Sequence, residues 1–595
     1  MKLTGGEIIV NKLTDEKVPY VIGIPGHGVL GLFDAIRKAE AEGKIKYLQV
    51  KHEQAATAMA DGYYRVKGSP LAVFASIGPG TLNLSIGLGT AYADSTPFIA
   101  FCGDAHTNMS GVGVLQEIER YHDSNISRSI EPLTKRCWRA ESADQLPRIL
   151  NNAFKEMMGG RKGPCAVTLP MDIQSQSADK VNFTGGQNYS ALPGADEESV
   201  ERAVKLMKTA KRPVIFVGGG AMRAKAGELI TELAEKWGAA IITTLAAKGT
   251  VKETHDQYCF HTGSKGTKIG LEISRKADVI LALGARFADE STCSYRKGVA
   301  FDFPDTKLIH VDIDAHEIGK NYPADVGIIA DAKNFVQKVL SKDRGFSINA
   351  EYLGEIKRLR AEWFEYVRNK RNEESDEFTI SRIIGVMGKV LPDDAIISTS
   401  SGNTQAQLFQ EYCYKVPYCN LTTGGFSTMG WAVPAAMGAK LAAPDRTVVA
   451  LVGDGDFMMI LQELSTAAQY NISVIIILAD NSGWMAIKDL QYDVLGKDGV
   501  FGNDFEKDGE RYTPDFKAIA QAFGVNAYRA DDEKTLENAI KQAISHDGPT
   551  LIHVKVSAEY PYSGGEAFGW WDVPIPTYME EKRQNYESGI NEETV

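Results

Sequence analysis

The stretch TVVALVGDGDFMMILQELSTAAQYNISVIIILADN, residues 447–481, decides the fold class. TVVALVG and SVIIILA read as buried strands, because short apolar runs bounded by turn residues suit strands, and FMMILQELSTAAQ between them has helical length and spacing. Asp454 and Asn481 then fall just past two strand ends, 27 positions apart. A right-handed crossover sets both on the same edge of one parallel sheet, the edge at which open α/β sheets bind ligands. Gly453 and Gly455 let backbone N–H groups approach a phosphate, while the Asp454 carboxylate, the Asn481 amide oxygen and a carbonyl near Gly483 are the hard oxygens that Mg²⁺ prefers. The segment predicts a cation that clamps a diphosphate. A strand-end turn and a helix cap account for GDG by itself, but poorly for the whole strand, helix and strand at this spacing.

The same alternation runs outward through most of the chain: YVIGIPG (20–26), LAVFASIGPG (71–80), FIAFCGD (98–104), PVIFVGGG (213–220), AAIITTL (239–245), DVILALGARF (278–287) and KLIHVDID (307–314). Strands of about five residues separated by helices predict an α/β protein of three doubly wound parallel-sheet domains. A polar stretch rich in Ser, Gly and Asn at 172–198 and a charged helical stretch at 349–377 divide it into an N-terminal domain (1–185), a central domain (190–345), a C-terminal domain (375–560) and a tail (561–595). GPGTLNLSIGLGTAYADSTPFIAFCGD (78–104) and GGFSTMGWAVPAAMGAKLAAPDRTVVALVGD (424–454) repeat one pattern of Gly-rich turn, small-residue helix, Asp and Pro, strand and Gly-Asp. Either a domain is duplicated around a different central one, or two unrelated modules obey the same connection rules.

The 595 residues, 44% hydrophobic and 24% charged, are long enough for several cores and exclude disordered, collagenous and coiled-coil classes. The 65 Lys and Arg against 77 Asp and Glu give a net charge of -12, which argues against nucleic acid as a partner. The seven cysteines have no paired short spacing, so neither a disulfide framework nor a zinc site is expected. No apolar run approaches the roughly 20 residues of a membrane span, and the acidic N-terminus lacks the features of a signal or transit peptide. The expected location is the cytoplasm.

On GDG followed by Asn481, and on VKHEQAATAMADGYYRVKG (50–68), SIGPG (76–80), GVGVLQEIE (111–119), SSGNTQ (400–405) and GGFSTMGW (424–431), the chain resembles the thiamine diphosphate enzymes, specifically their acetolactate synthase branch. The resemblance implies that the N-terminal domain holds the aminopyrimidine end of the cofactor and the C-terminal domain its diphosphate. Glu53 would hydrogen-bond the pyrimidine and favour the imino tautomer that removes the C2 proton, with AATAMA supplying apolar surroundings. Met429 would keep the cofactor bent, and Gln116 would point an amide at the substrate carbonyl. Gly402, Asn403, Thr404, Gly453, Asp454, Gly455 and Asn481 would cradle the diphosphate, and Asp454, Asn481 and Gly483 would hold Mg²⁺. His27, in a Gly-His-Gly loop, is the acid/base candidate among the histidines, since His52 and His106 near other strand ends suit structural roles.

The family pairs the N-terminal domain of one subunit with the C-terminal domain of another, which implies a homodimer or homotetramer with active sites between subunits. FAD is optional. GARFADE and HVDIDAHEIGKN look like the family's FAD domain, but CFHTGSKGTKIG stands where the family has Gly-Met-His-Gly, and no GxGxxG fingerprint supports a dinucleotide oxidoreductase. Leu490 stands where biosynthetic members have Trp, so the acceptor cannot be carried over. Acetolactate-type carboligation of 2-keto acids is the expected reaction. The alternative is hydrolysis of a cyclic 1,2-diketone, because the tail and the Gly-His-Gly loop are similar to the trihydroxycyclohexanedione hydrolases.

Overall fold

Each run of buried aliphatic residues becomes a strand covered on both faces by helices, which is why these strands are apolar throughout and not alternating. The computed structural model describes residues 2–118, 126–178, 183, 189, 192–558 and 571–594. In the N-terminal sheet β1 (Tyr20–Gly23), β2 (Lys46–Gln49), β3 (Ala72–Ala75), β4 (Ile99–Asp104), β5 (Arg136–Arg139) and β6 (Cys165–Pro170) run parallel in the order β2-β1-β3-β4-β6-β5. The central sheet has β7 (Pro213–Val217), β8 (Ala240–Thr243), β9 (Tyr258–His261), β10 (Val279–Leu283), β11 (Lys307–Asp312) and β12 (Val326–Ile329), ordered β9-β8-β7-β10-β11-β12. The C-terminal sheet has β13 (Ile396–Thr399), β14 (Asn420–Thr422), β15 (Val448–Gly453), β16 (Ile475–Asp480), β17 (Asn526–Ala530) and β18 (Thr550–Lys555), ordered β14-β13-β15-β16-β18-β17.

The two outer sheets share one strand order and the central sheet has another. The repeated sequence pattern therefore corresponds to one topology used twice around a different middle. Five helices matter for the site: α1 (Glu53–Lys67), α2 (Asn403–Glu411), α3 (Ala432–Ala442), α4 (Met485–Leu495) and α5 (Glu580–Ile590).

The outer domains are fused through α1 and α3. A Cβ on Gly62 of α1 would stand 2.1 Å from the Ala435 carbonyl oxygen, and one on Gly438 of α3 would stand 2.0 Å from that of Met59. Two small-residue helices thus cross in backbone contact, and a single hydrophobic core continues from the first sheet into the third while the central domain keeps its own. Arg65, one turn beyond Gly62, locks the crossing. Its guanidinium pairs with Asp61 at 2.7 Å and Asp94 at 2.8 Å, donates to the Thr422 carbonyl, and lies over the Trp431 ring, whose Nε1 donates to Asp61 at 3.0 Å. Arg223 of the central domain donates to the Asp94 carbonyl, so all three domains meet on this cluster.

The described part of the tail is a strap. The Asp572 N–H donates to Ser294 Oγ at 2.9 Å, the Lys297 N–H to the Glu592 carbonyl at 3.1 Å, and Lys582 Nζ to the carbonyls of Asp493 and Val494 at 3.1 and 3.2 Å. The tail therefore ties the central domain to the C-terminal end of α4; the earlier part of the tail motif lies outside the described residues. Among the described residues no helix is long and apolar enough to cross a membrane.

Gly62→Ala should lower stability by about 1–3 kcal/mol, the usual cost of overpacking, read as a lower urea midpoint; an unchanged midpoint would mean the helices do not cross there. Arg65→Ala should cost about 3–5 kcal/mol, because it strands buried carboxylates without their partner. Protonation of the orphaned Asp94, whose carboxyl burial already pushes up, removes that charge, so the deficit should narrow as pH falls toward about 4. A deficit constant from pH 4 to 8 would contradict the assignment.

Candidate functional site

At the edge of the C-terminal sheet, β15 and β16 lie side by side with Gly453 opposite Ala479, so Asp454 and Asn481 emerge next to each other. Both are buried. Asp454 Oδ2 accepts the Gly483 N–H at 3.1 Å. The terminal amide atom of Asn481 lies 3.2 Å from Asp454 Oδ1 and 3.1 Å from the Gly483 carbonyl oxygen. With its nitrogen turned inward the amide donates to both; with its oxygen inward it joins them as a third hard oxygen. One carboxylate, one amide and one carbonyl suit Mg²⁺ and fit no soft-ligand metal. Burial, together with the charge of Asp480, pushes Asp454 up to about 7, which a divalent cation would reverse. Asp480 behaves oppositely: despite burial, a 2.8 Å contact with His553 and the charge of Lys555 hold it below the usual carboxylate range.

β13 and β15 are neighbours whose chains depart in opposite directions, so a crevice opens between them. The N-terminus of α2 closes its far side. Gly402 takes φ +82°, which turns the chain so that Asn403 and Thr404 begin the helix, buried and with their N–H groups free of intrahelical partners. Across the crevice the Trp484 ring packs on the GDG turn, leaving no room for a side chain at Gly455, where a Cβ would stand 2.3 Å away. The Asp456 carboxylate accepts the Gly430 N–H at 2.5 Å and ties this turn to the loop that carries Met429.

The second half of the site comes from the N-terminal sheet. Glu53 opens α1 behind the cap residue His52, whose Nδ1 accepts the Gln54 N–H at 3.2 Å. Glu53 is 7% exposed, and Ala55, Ala56 and Met59 after it on α1 are buried too. One carboxyl oxygen accepts Asn83 Nδ2 at 2.9 Å, and the other stands 3.1 Å from where a Cβ on Gly80 would be, a close approach that a larger residue would crowd. The next residue, Gln54, donates to the Met429 carbonyl at 3.1 Å, which brings the Met429 loop against the start of α1 within one chain. The backbone leading to Glu53 is held by the helical segment between GDG and Asn481: Glu463 accepts the Lys51 N–H at 3.0 Å and the Tyr470 hydroxyl accepts the Gln49 N–H at 2.8 Å.

His27 and Gln116 share this edge. The Gly28 N–H donates to Ser76 Oγ at 3.2 Å, and Gln116, at φ +68°, packs its backbone against Gly78, where a Cβ would stand 1.9 Å from its carbonyl oxygen. Both side chains are exposed. His106 is engaged elsewhere, accepting the Asn108 N–H and facing Asp172 at 3.7 Å. Asn83, Glu463 and Tyr470 were not expected from sequence. Asn83 falls within the Gly-rich turn that brings Gly80 to Glu53, the one signal that could have marked it.

A cavity of about 430 Å³ opens where the strand order of the central sheet reverses, beside Gly219, Gly220 and Gly284 at the ends of β7 and β10. Arg161 and Arg286 line it, and Lys265, 5.7 Å from the Trp571 ring, closes one wall. Glycine strand ends and guanidiniums suit a nucleotide diphosphate. The cavity extends to Gly424, Gly425 and Ser427, the start of the Met429 loop.

Residues 3–124, 200–339 and 400–554 match, respectively, the family models for the N-terminal TPP binding domain, the central domain and the C-terminal TPP binding domain of thiamine pyrophosphate enzymes. The chain is 32% identical over 574 residues to a probable acetolactate synthase large subunit of Methanococcus aeolicus, covering 92% of this chain and 91% of that protein. It is 32% identical over 566 residues to the acetolactate synthase isozyme 1 large subunit of Escherichia coli, covering 94% and 95%. With the acetolactate synthase large subunit of Corynebacterium glutamicum the identity is 32% over 562 residues, covering 93% and 86%. Three matched domains in order and similarity along nearly the whole length make this chain a member of the thiamine pyrophosphate enzymes, in the branch of the acetolactate synthases.

Proposed function

We propose that this chain is a Mg²⁺-dependent carboligase of 2-keto acids, acetolactate synthase-like in its reaction. The observation that carries the reading is the convergence of Asp454, Asn481 and Gly483 opposite the N-terminus of α2. When bound, thiamine diphosphate supplies a carbon nucleophile for a keto carbonyl and an electron sink for the departing carboxylate. Asp454, Asn481 and the Gly483 carbonyl hold the Mg²⁺, and Gly402, Asn403, Thr404, Gly453 and Gly455 offer N–H groups to the diphosphate.

Glu53, oriented by Asn83, exchanges a proton with the pyrimidine end. Met429, its carbonyl pinned by Gln54, orients the cofactor. Gln116 and His27, exposed on the same edge, are the groups free to meet a substrate carbonyl and to move a proton there. Leu490 gives no indication of the acceptor. FAD stays optional: the central cavity suits its diphosphate, but no proton or bond in this reaction requires a flavin.

Leu82, Ile86, Phe426 and Met459 are each more than a third exposed around Asn83 and the Met429 loop. Such an apolar patch beside a site supports a homodimer or homotetramer with sites completed between subunits.

Purified protein given pyruvate should release CO₂ and form acetolactate, with thiamine diphosphate identified by mass in the preparation; ring opening of a cyclic 1,2-dione without CO₂, and no reaction with pyruvate, would replace this reading with the hydrolytic one. Glu53→Gln should keep the cofactor while slowing exchange of its C2 proton by roughly 100-fold or more, and exchange at the parent rate would remove Glu53 from that role. Asp454→Ala should weaken Mg²⁺-dependent cofactor binding by about 100-fold or more; an unchanged dissociation constant would refute the metal assignment.

A further inference from the structure

α4 begins two residues past Gly483, and its first turn is held rigidly. The Trp484 N–H donates to the Asn503 carbonyl at 2.9 Å, Lys488 Nζ reaches both oxygens of Asp504 at 2.7 and 2.9 Å, and Met485 is buried. Residue 489 lies one turn after Met485, on the same inward face of the helix. The side chain there is a carboxylate, and it is turned toward the first residue of α2.

Asp489 Oδ2 is shielded from solvent and meets no hydrogen-bond partner. Asn403, only 6% exposed, leaves both atoms of its amide unpartnered. Asn403 lies close enough to favour the ionised form of Asp489, yet neither atom of its amide completes a hydrogen bond. Buried polar groups without partners are unusual in folded proteins. Their coincidence at the N-terminus of a nine-residue helix, beside the strand crevice, makes this a place suited to a polar ligand group.

We propose that Asp489 is a further residue of the diphosphate cradle, its carboxyl acting as a hydrogen-bond donor toward the terminal phosphate while Asn403 donates beside it. This rests on the reading of Gly402, Asn403 and Thr404 as diphosphate-binding. An ionised Asp489 would repel the anion; a protonated one completes its shell.

The surroundings favour the protonated form. Burial, then the charge of Asp493 one turn further along α4, pushes Asp489 up to about 7, against the opposing effects of Asn403 and Lys488. The tail helix α5 adds Lys582, which is spent on the carbonyls of Asp493 and Val494. A raised carboxyl pKa means that the donor is present below about 7 and lost as pH rises through it, so cofactor affinity should fall in that window.

The test is the dissociation constant of thiamine diphosphate from the full-length protein at saturating Mg²⁺, measured by calorimetry from pH 6 to 8.5 for the parent chain, Asp489→Asn and Asp489→Ser. Comparison at each pH cancels the titration of the phosphate and of Asp454. Relative to the parent, both variants, which keep a donor that does not ionise, should gain roughly tenfold in affinity between pH 7 and 8.5. The Ser variant serves where the Asn variant does not fold. Parallel pH profiles would overturn the role of Asp489 alone. Failure of the parent to bind thiamine diphosphate at any pH would overturn the underlying cradle, and this inference with it.

Discussion

The contact on which this molecule depends is the backbone-to-backbone crossing of α1 and α3 at Gly62 and Gly438. It packs the N-terminal domain against the C-terminal domain within one chain, and a Cβ at either crossing point would meet a backbone carbonyl oxygen. Arg65 then converts proximity into register. By engaging Asp61, Asp94, the Thr422 carbonyl and the face of Trp431, it fixes both ends of the loop that carries Met429. A guanidinium suits this position because its planar fork serves two carboxylates and a carbonyl while its face stacks on an indole.

The candidate site has two halves of opposite character. The half proposed for the diphosphate is rich in oxygen atoms and backbone donors, and burial pushes the Asp454 carboxyl toward its neutral form. The half proposed for the pyrimidine is a single buried carboxyl, oriented by Asn83 and approached closely by Gly80. Glu463 and Tyr470, from the helical segment between the GDG turn and Asn481, hold the backbone that leads into Glu53.

The central domain takes part without supplying a residue to either half. Its cavity opens onto the start of the Met429 loop, and Arg223 reaches the Asp94 carbonyl beside the Arg65 cluster. On the other side the tail strap joins the segment at 294–297 to the end of α4. Two routes thus connect this domain to the candidate site: one through the Met429 loop, the other through the helix that follows Asn481 and Gly483.

The three parallel sheets, the doubly wound class and the adjacency of Asp454 and Asn481 were all legible in the sequence, because they follow from local apolar periodicity and from the handedness of a strand–helix–strand unit. The likeness of residues 78–104 to 424–454 was legible too, though only the strand order shows one topology used twice. What the sequence left open lies between residues on different elements: Asn83 against Glu53, Glu463 under Lys51, Arg65 between three domains, Asp489 facing Asn403. None of these has a periodicity or a spacing that marks it. Each depends on how closely two helices pack and at what rotation, and that is decided by a pair of glycines whose role no local pattern reveals.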